Sequence, residues 1–97
     1  MNEKVLYYVE SLEGFEDTKA KAEIENDLAY YSNKFYFAEK PTKQHCLWLY
    51  FPMKHDPTIK ILWSSQSSIV EITELDKNSM KIRTRKGTFT ICKYKQN

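Results

Sequence analysis

The chain lacks the features that mark several specialised classes of protein. No apolar run approaches the length of a membrane helix, and the first residues show no charged stretch followed by an apolar one. Gly and Pro are scarce, with 2 and 3 residues, and there is no internal repeat or low-complexity segment. We therefore expect a cytoplasmic protein with no membrane partner.

Signatures of metal, cofactor and catalytic sites are also missing. The two cysteines, Cys46 and Cys92, are too few for a disulfide framework and lie in apolar, strand-like runs, where a reduced cysteine acts as a small hydrophobe. Together with His45 and His55 they supply metal-ligand atoms, but without the paired short spacings of structural zinc sites. No phosphate-binding loop or nucleophile motif occurs. The sequence thus predicts no metal, no cofactor, no catalytic residues and no enzyme.

What the chain does contain is typical of one small globular domain. Hydrophobic residues make up 41% of the 97 residues, and 7 Tyr, 5 Phe and 2 Trp provide bulky side chains for a core. This length suffices for one core that folds without disulfides or metals. We expect a single domain spanning residues 1–97.

The first third of the sequence favours helices. Between residues 3 and 13, Val5, Tyr8, Val9 and Leu12 repeat at helical spacing, although Val5, Tyr7 and Val9 also alternate as they would on a strand. Helix is the favoured prediction there. A second, amphipathic helix is predicted to begin at a cap at Asp17 or Thr18 and to end near residue 33, with apolar positions at Ala20, Ile24, Leu28 and Tyr31.

The rest of the chain favours an antiparallel sheet. Strands are predicted at 35–37, at 46–51 as a buried central strand, and at 59–63, with residues 64–68 (Ser-Ser-Gln-Ser-Ser) as a loop. Turn residues at 76–79 and 85–87 divide the segment from residue 59 to residue 94 into three runs, which predicts an antiparallel meander. The predicted fold is α+β, with one or two N-terminal helices packed on an antiparallel sheet of about five strands.

Charge is divided unevenly along the chain. Residues 1–40 carry 5 Lys and 9 Asp or Glu, for −4, whereas residues 41–97 carry 10 Lys or Arg and 4 Asp or Glu, for +6; the sum is the net +2. Basic residues on one face of the last strands are candidate contacts for an anionic partner such as nucleic acid. Such residues also serve solubility and discourage edge pairing. The candidates are Lys81, Arg83, Arg85, Lys86 and Lys93.

Aromatic and acidic residues suggest a protein interface instead. The aromatic residues exceed what one face of a small sheet needs, so some are expected on the surface, where Tyr and Trp anchor interfaces. The alternative is that they line the seam between helix and sheet. The acidic face of the second predicted helix is another candidate interface, because its carboxylates can imitate a row of phosphates and occupy a basic groove on another protein. The candidate interface residues are Tyr30, Tyr36, Trp63, Glu16, Glu23 and Asp27.

The segments Leu62–Ile72 and Ile82–Ile91 resemble the C-terminal β-modules of small accessory proteins from phages and mobile elements of Gram-positive bacteria. Those modules typically have a Thr-Ser-Pro-like start, a threonine, a tight turn and an aromatic residue in the last hairpin. Here the start is serine-rich without proline, and Phe89 stands where tyrosine is more usual. The resemblance implies an accessory gene product, a class that includes inhibitors of host defence such as anti-CRISPR proteins, but it assigns no functional residue.

Two function classes follow. The leading hypothesis is a non-catalytic protein that binds a macromolecular partner, with an inhibitor of a host defence protein as the specific expectation. The alternative is a small nucleic-acid-binding module that uses the basic strand face.

Overall fold

Residues 5–94, described by a computed structural model, form one helix and six strands. The strands are β1 (Tyr7–Glu13), β2 (Tyr36–Phe37), β3 (Cys46–Pro52), β4 (Lys60–Asp76), β5 (Ser79–Thr84) and β6 (Thr88–Lys93), and helix α1 (Thr18–Tyr30) lies between β1 and β2 in the chain. The order across the sheet is β1-β6-β5-β4-β3-β2, and every neighbouring pair is antiparallel. The predicted α+β class is confirmed, with six strands rather than about five.

The additional strand is β1, and it corrects the prediction of a helix over residues 3–13. Tyr7–Glu13 pair with β6 along their length, with a bulge between Val9 and Ser11; residues 3 and 4 lie outside the described part of the chain. The sequence contained both periodicities, and the free edge of β6 decides between them because pairing satisfies the backbone groups of β1. Val9 is buried as a result.

Helix α1 follows the amphipathic pattern. The Asp17 carboxylate accepts hydrogen bonds from the backbone N–H groups of Lys19 and Ala20 at 3.0 and 3.1 Å, which makes Asp17 the N-cap. Ile24 and Leu28 are the buried residues of the helix, at the predicted spacing. Just after the helix, Tyr31 stacks on Phe51 of β3, with ring centroids 4.8 Å apart. These contacts hold α1 on the core side of the sheet.

The two edges of the sheet meet. Tyr7 on β1 and Phe35, the residue before β2, exchange two backbone hydrogen bonds of 2.8 and 2.9 Å. The ladder continues between Val9, two residues after Tyr7, and the side chain of Asn33, two residues before Phe35. Asn33 Oδ1 accepts a hydrogen bond from the Val9 N–H at 2.9 Å, and Asn33 Nδ2 donates one to the Val9 carbonyl at 2.8 Å. The side-chain amide therefore takes the place of a peptide unit, and the sheet curls back on itself.

Strand β4 is long because it belongs to both halves of the sheet, and it corrects the prediction of a loop at residues 64–68. Its first part pairs with β3 and its second part with β5, with irregular register near Gln66, whose φ is 57°. The serine hydroxyls provide hydrogen-bond partners for buried polar groups where the strand changes register. The Ser65 hydroxyl donates to the Ser67 carbonyl at 2.7 Å and accepts from the Leu47 N–H at 3.0 Å, while the Ser67 hydroxyl donates to Thr84 Oγ1 at 2.9 Å.

The C-terminal meander agrees with the sequence. Turns at residues 77–78 and 85–87 separate β4, β5 and β6. Ile82 and Thr84 are buried, whereas Arg83 between them is exposed, as alternation on a strand requires. At the second turn a Cβ atom on Gly87 would overlap the ring of Phe15, so only glycine lets this ring cover the turn.

The core lies between α1 and the concave side of the curled sheet. Its aromatic rings pack edge-to-face in a chain that joins Phe35, Phe51, Trp63 and Phe89, with centroid separations of 5.7 to 6.2 Å. The buried hydrophobic residues are Val9, Ile24, Leu28, Phe35, Phe37, Leu47, Leu49, Phe51, Ile69, Ile82, Phe89 and Ile91.

Candidate functional site

The outer side of β2, β3 and the first part of β4 carries large apolar residues. Tyr36, Tyr50 and Leu62 are direct cross-strand neighbours, so they form one row across the three strands. Trp48 lies two residues before Tyr50 and therefore on the same side of β3. Leu62 is 53% exposed, and the three aromatic residues are partly exposed. We call this surface, formed by Tyr36, Trp48, Tyr50 and Leu62, the aromatic face.

The sequence of β3 explains the aromatic face. Leu47, Leu49 and Phe51 are buried on the core side, which turns Trp48 and Tyr50 outward. The prediction of a strand here is confirmed, but not that of a strand buried on both sides. The run is uniformly apolar because one side fills the core and the other presents aromatic rings to solvent.

One basic residue adjoins the aromatic face. The Lys60 ammonium lies 5.0 Å from the centroid of the Tyr36 ring, within the range of a cation–π contact. Lys60 itself is exposed. This contact orients the ring of Tyr36 on a strand of only two residues, which supplies little support of its own.

The outer side of β4, β5 and β6 has a different chemistry. Arg83 Nε lies 3.3 Å from Glu71 Oε1 on the neighbouring strand, and Lys81 Nζ lies 4.0 Å from Glu13 Oε1. Both pairs are exposed, so each contributes little to stability. Their effect on the surface charge matters more, because the carboxylates offset the charges of Lys81 and Arg83, the first two positions of the predicted basic row.

The other predicted anion contacts are dispersed. Arg85 and Lys86 are exposed in the turn between β5 and β6, and Lys93 is exposed at the end of β6. Lys86 lines a groove with Glu23 and Asp27, whereas Lys93 lines a different groove with Glu10 and with Asp76. The five basic residues thus form no continuous stripe, since acidic side chains accompany four of them.

Helix α1 and β4 enclose a groove that contains three of the predicted interface residues. Glu23, Asp27 and Trp63 line it, together with Leu62 of the aromatic face. The Trp63 indole N–H donates to Asp27 Oδ2 at 3.0 Å, and its ring packs edge-on against two core phenylalanines. Trp63 therefore lies in the seam between helix and sheet, the alternative that the sequence left open.

The remaining predicted interface residues lie elsewhere. Tyr36 belongs to the aromatic face. Tyr30, at the end of α1, is 70% exposed, and its ring meets the ring of Tyr31 edge-on with centroids 4.9 Å apart. Glu16 is exposed before the helix and does not line the α1–β4 groove. The structure thus places Tyr36 on the aromatic face and three predicted residues in the α1–β4 groove, whereas Tyr30 and Glu16 belong to neither surface.

Three residues of the aromatic face were missing from the predicted site. Trp48 and Tyr50 had a detectable signal, because they alternate with Leu47 and Leu49 in a run that a one-sided core cannot use completely. Leu62 had none, because its exposure depends on its pairing with Tyr50 across the sheet.

A groove beside β1 and β6 contains the Cys92 thiol. Cys92 and Tyr8 are cross-strand neighbours, and Cys92 Sγ lies 3.6 Å from Glu10 Oε2. Burial, and then the Glu10 carboxylate, raise the pKa of the Cys92 thiol, which disfavours the nucleophilic thiolate. Among residues 5–94, no group of three or more His, Cys, Asp or Glu side chains is placed to hold a metal ion.

No helix among the described residues is both long and apolar enough to cross a membrane. Comparisons with models of protein families, with curated proteins and with solved structures find no match to this chain.

Proposed function

We propose that this is a non-catalytic protein that binds another protein through its aromatic face. The observation that carries the proposal is the contrast between two regions of the outer surface of the sheet. Where β4, β5 and β6 face solvent, charged residues pair across strands, whereas the β2–β3–β4 side presents Tyr36, Trp48, Tyr50 and Leu62. Tyr and Trp are the residue types that most often dominate the energy of protein interfaces.

The surroundings of the aromatic face suit a protein partner. Leu62 connects it with the α1–β4 groove, where Glu23 and Asp27 provide carboxylates at the edge. An apolar centre with a charged rim is the usual organisation of a specific interface. Aromatic side chains rotate about only two χ angles, so little side-chain freedom is lost when they are ordered on binding.

The partner we propose is a host protein, and more specifically a protein of host defence. Support comes from the resemblance of residues 62–94 to β-modules of accessory proteins of phages and mobile elements, a class that includes anti-CRISPR proteins. The proposed compartment is the cytoplasm, where such a target acts. A non-catalytic inhibitor needs only to cover a working surface of its target, and an exposed aromatic face is suited to that role.

Two exposed leucines on β4 provide a matched test. Leu62 is 53% exposed within the aromatic face, and Leu75 is 48% exposed at the other end of the same strand. Leu62→Lys should reduce recovery of the partner from Gram-positive lysate at least about tenfold, because it places an unpaired charge in the interface. Leu75→Lys should recover the partner like the wild type. The measurement is quantitative mass spectrometry of affinity-captured protein, after thermal melts show that both variants are folded.

The same affinity-capture experiment tests the alternative function, which is nucleic-acid binding. If the protein binds nucleic acid, nuclease treatment should remove the captured material, and charge reversal at Lys81, Arg83 and Arg85 should abolish a salt-dependent association. We expect neither result, and no binding to random single-stranded or duplex DNA at physiological salt. Full recovery with Leu62→Lys, or equal loss with both leucine variants, would refute the proposed interface.

A further inference from the structure

A recess of about 390 Å³ opens into one end of the curled sheet. The rings of Tyr7 and Phe37, whose centroids lie 4.5 Å apart, form part of its wall. Ile72 on β4 and Met80 on the neighbouring strand β5 add an aliphatic part. All four side chains belong to the core or pack against it. The recess is therefore an apolar opening at the edge of the core, and its size lies within the range of small-molecule sites.

Two opposite charges stand beside this recess. Lys40 and Glu74 both line it and are exposed. Glu74 is the direct cross-strand partner of Met80, so its side chain lies on the same side of the sheet as the apolar wall. Within residues 5–94, neither Lys40 nor Glu74 forms an ion pair. Both charges are thus available to a ligand.

A third polar group lies in the wall. The phenol of Tyr7 can donate or accept a hydrogen bond. A phenol is protonated at neutral pH, so Tyr7 keeps its donor, and partial burial raises the pKa of this phenol further above its ordinary value. An apolar wall with a few polar groups around its opening is the usual composition of a site for a small molecule.

We propose that the recess binds a small zwitterion with an apolar body, of which free aromatic amino acids are the simplest examples. The body occupies the space beside Tyr7, Phe37, Ile72 and Met80. The carboxylate of the ligand faces Lys40, and its ammonium group faces Glu74. A purely apolar ligand would use neither charge, and an anion would use Lys40 but not Glu74. The chemistry of the recess therefore selects a head group that carries both charges.

The proposal is tested by titrating the protein with L-phenylalanine while the side-chain methyl signals of Ile72 and Met80 are followed by NMR. We expect saturable shifts with a Kd of about 1 mM or lower, the strength that an efficient ligand of this size attains. Benzyl alcohol supplies the body without the charges, and glycine supplies the charges without the body. Each should bind at least about five times more weakly than L-phenylalanine.

Charge-neutralising variants test the head group without disturbing the core. Lys40→Gln and Glu74→Gln should each weaken L-phenylalanine binding about threefold or more, whereas Lys43→Gln, at an exposed lysine that does not line the recess, should leave it unchanged. Absence of saturable shifts at Ile72 and Met80, or equal affinity for benzyl alcohol, would overturn the proposal. So would an equal effect of Lys43→Gln. None of these results bears on the aromatic face, whose residues do not line the recess.

Discussion

Replacing Ile82 by alanine is expected to lower the free energy of unfolding by about 2 to 4 kcal/mol. Ile82 is 0% exposed and pairs with Ile72 on one side and Phe89 on the other, at the middle of the meander. The truncation removes buried methyl and methylene groups and leaves a cavity that the two neighbouring strands close only in part, because their backbone ladders hold them apart. Chemical denaturation monitored by tryptophan fluorescence measures the change.

The matched control for Ile82 is its neighbour. Arg83→Ala removes a side chain that is 55% exposed and an exposed ion pair with Glu71, so it should cost less than about 0.5 kcal/mol. The two substitutions differ by one position on the same strand and therefore by the side of the sheet. Equal losses of stability, or a larger loss for Arg83→Ala, would show that the register of β5 is wrong.

Replacing Asn33 by alanine is expected to cost about 3 kcal/mol, although Asn33 is not a core residue. Its side chain makes two hydrogen bonds to Val9 that extend the bridge between the edges of the sheet, and its φ of 50° is one that asparagine tolerates better than alanine. Without the amide, the N–H and the carbonyl of Val9 lose their partners at a half-buried position. Denaturant titration provides the value.

Two further variants separate the effect of the lost hydrogen bonds from that of the backbone conformation at Asn33. Asn33→Gly removes the amide but adopts positive φ freely, so it should cost about 2 kcal/mol, less than alanine. Asn26→Ala changes an exposed asparagine inside α1 and should be neutral within about 0.5 kcal/mol. If Asn33→Ala cost no more than Asn26→Ala, the closure of the sheet through Asn33 would be wrong.

The sequence predicted what depends on local chemistry. The turn clusters at 76–79 and 85–87, the alternation of Ile82 with Arg83, and a helix cap at Asp17 or Thr18 were each predicted from a few neighbouring positions. The structure has the turns at 77–78 and 85–87, keeps the alternation, and places the cap at Asp17. Such features fix the meander and the helix because their hydrogen bonds or burial involve near neighbours.

What the sequence failed to predict depends on distant partners. Tyr7–Glu13 carry both a helical and an alternating pattern, and pairing with a strand some eighty residues later decides the outcome. Residues 64–68 have the composition of a loop, but the buried hydroxyls of Ser65 and Ser67 find partners on β3 and β5. Polar residues continue a strand where such partners exist, and their partners are not visible in local sequence.

The direction of the predicted interface residues also depends on pairing between distant strands. Tyr36 was predicted as an interface residue and lies on the aromatic face, but Trp63, predicted with it, turns to the core side and donates to Asp27. The direction of a strand residue depends on register, and β4 shifts its register near Gln66. Composition indicated that aromatic residues exceed the needs of the core, but only the register of β3 and β4 shows which of them face outward.

Hydroxyl-radical footprinting of the tyrosine and tryptophan side chains, with the protein alone and in its captured complex, tests most directly whether the aromatic face binds a protein. Trp48 and Tyr50 should be oxidised in the free protein and protected several-fold in the complex, because an interface excludes solvent from its centre. Tyr8 and Tyr94, which line the groove beside β1 and β6, serve as internal references and should react equally in both states. Unchanged oxidation of Trp48 and Tyr50 in the complex, with protection at Tyr8 and Tyr94 instead, would contradict the proposed function.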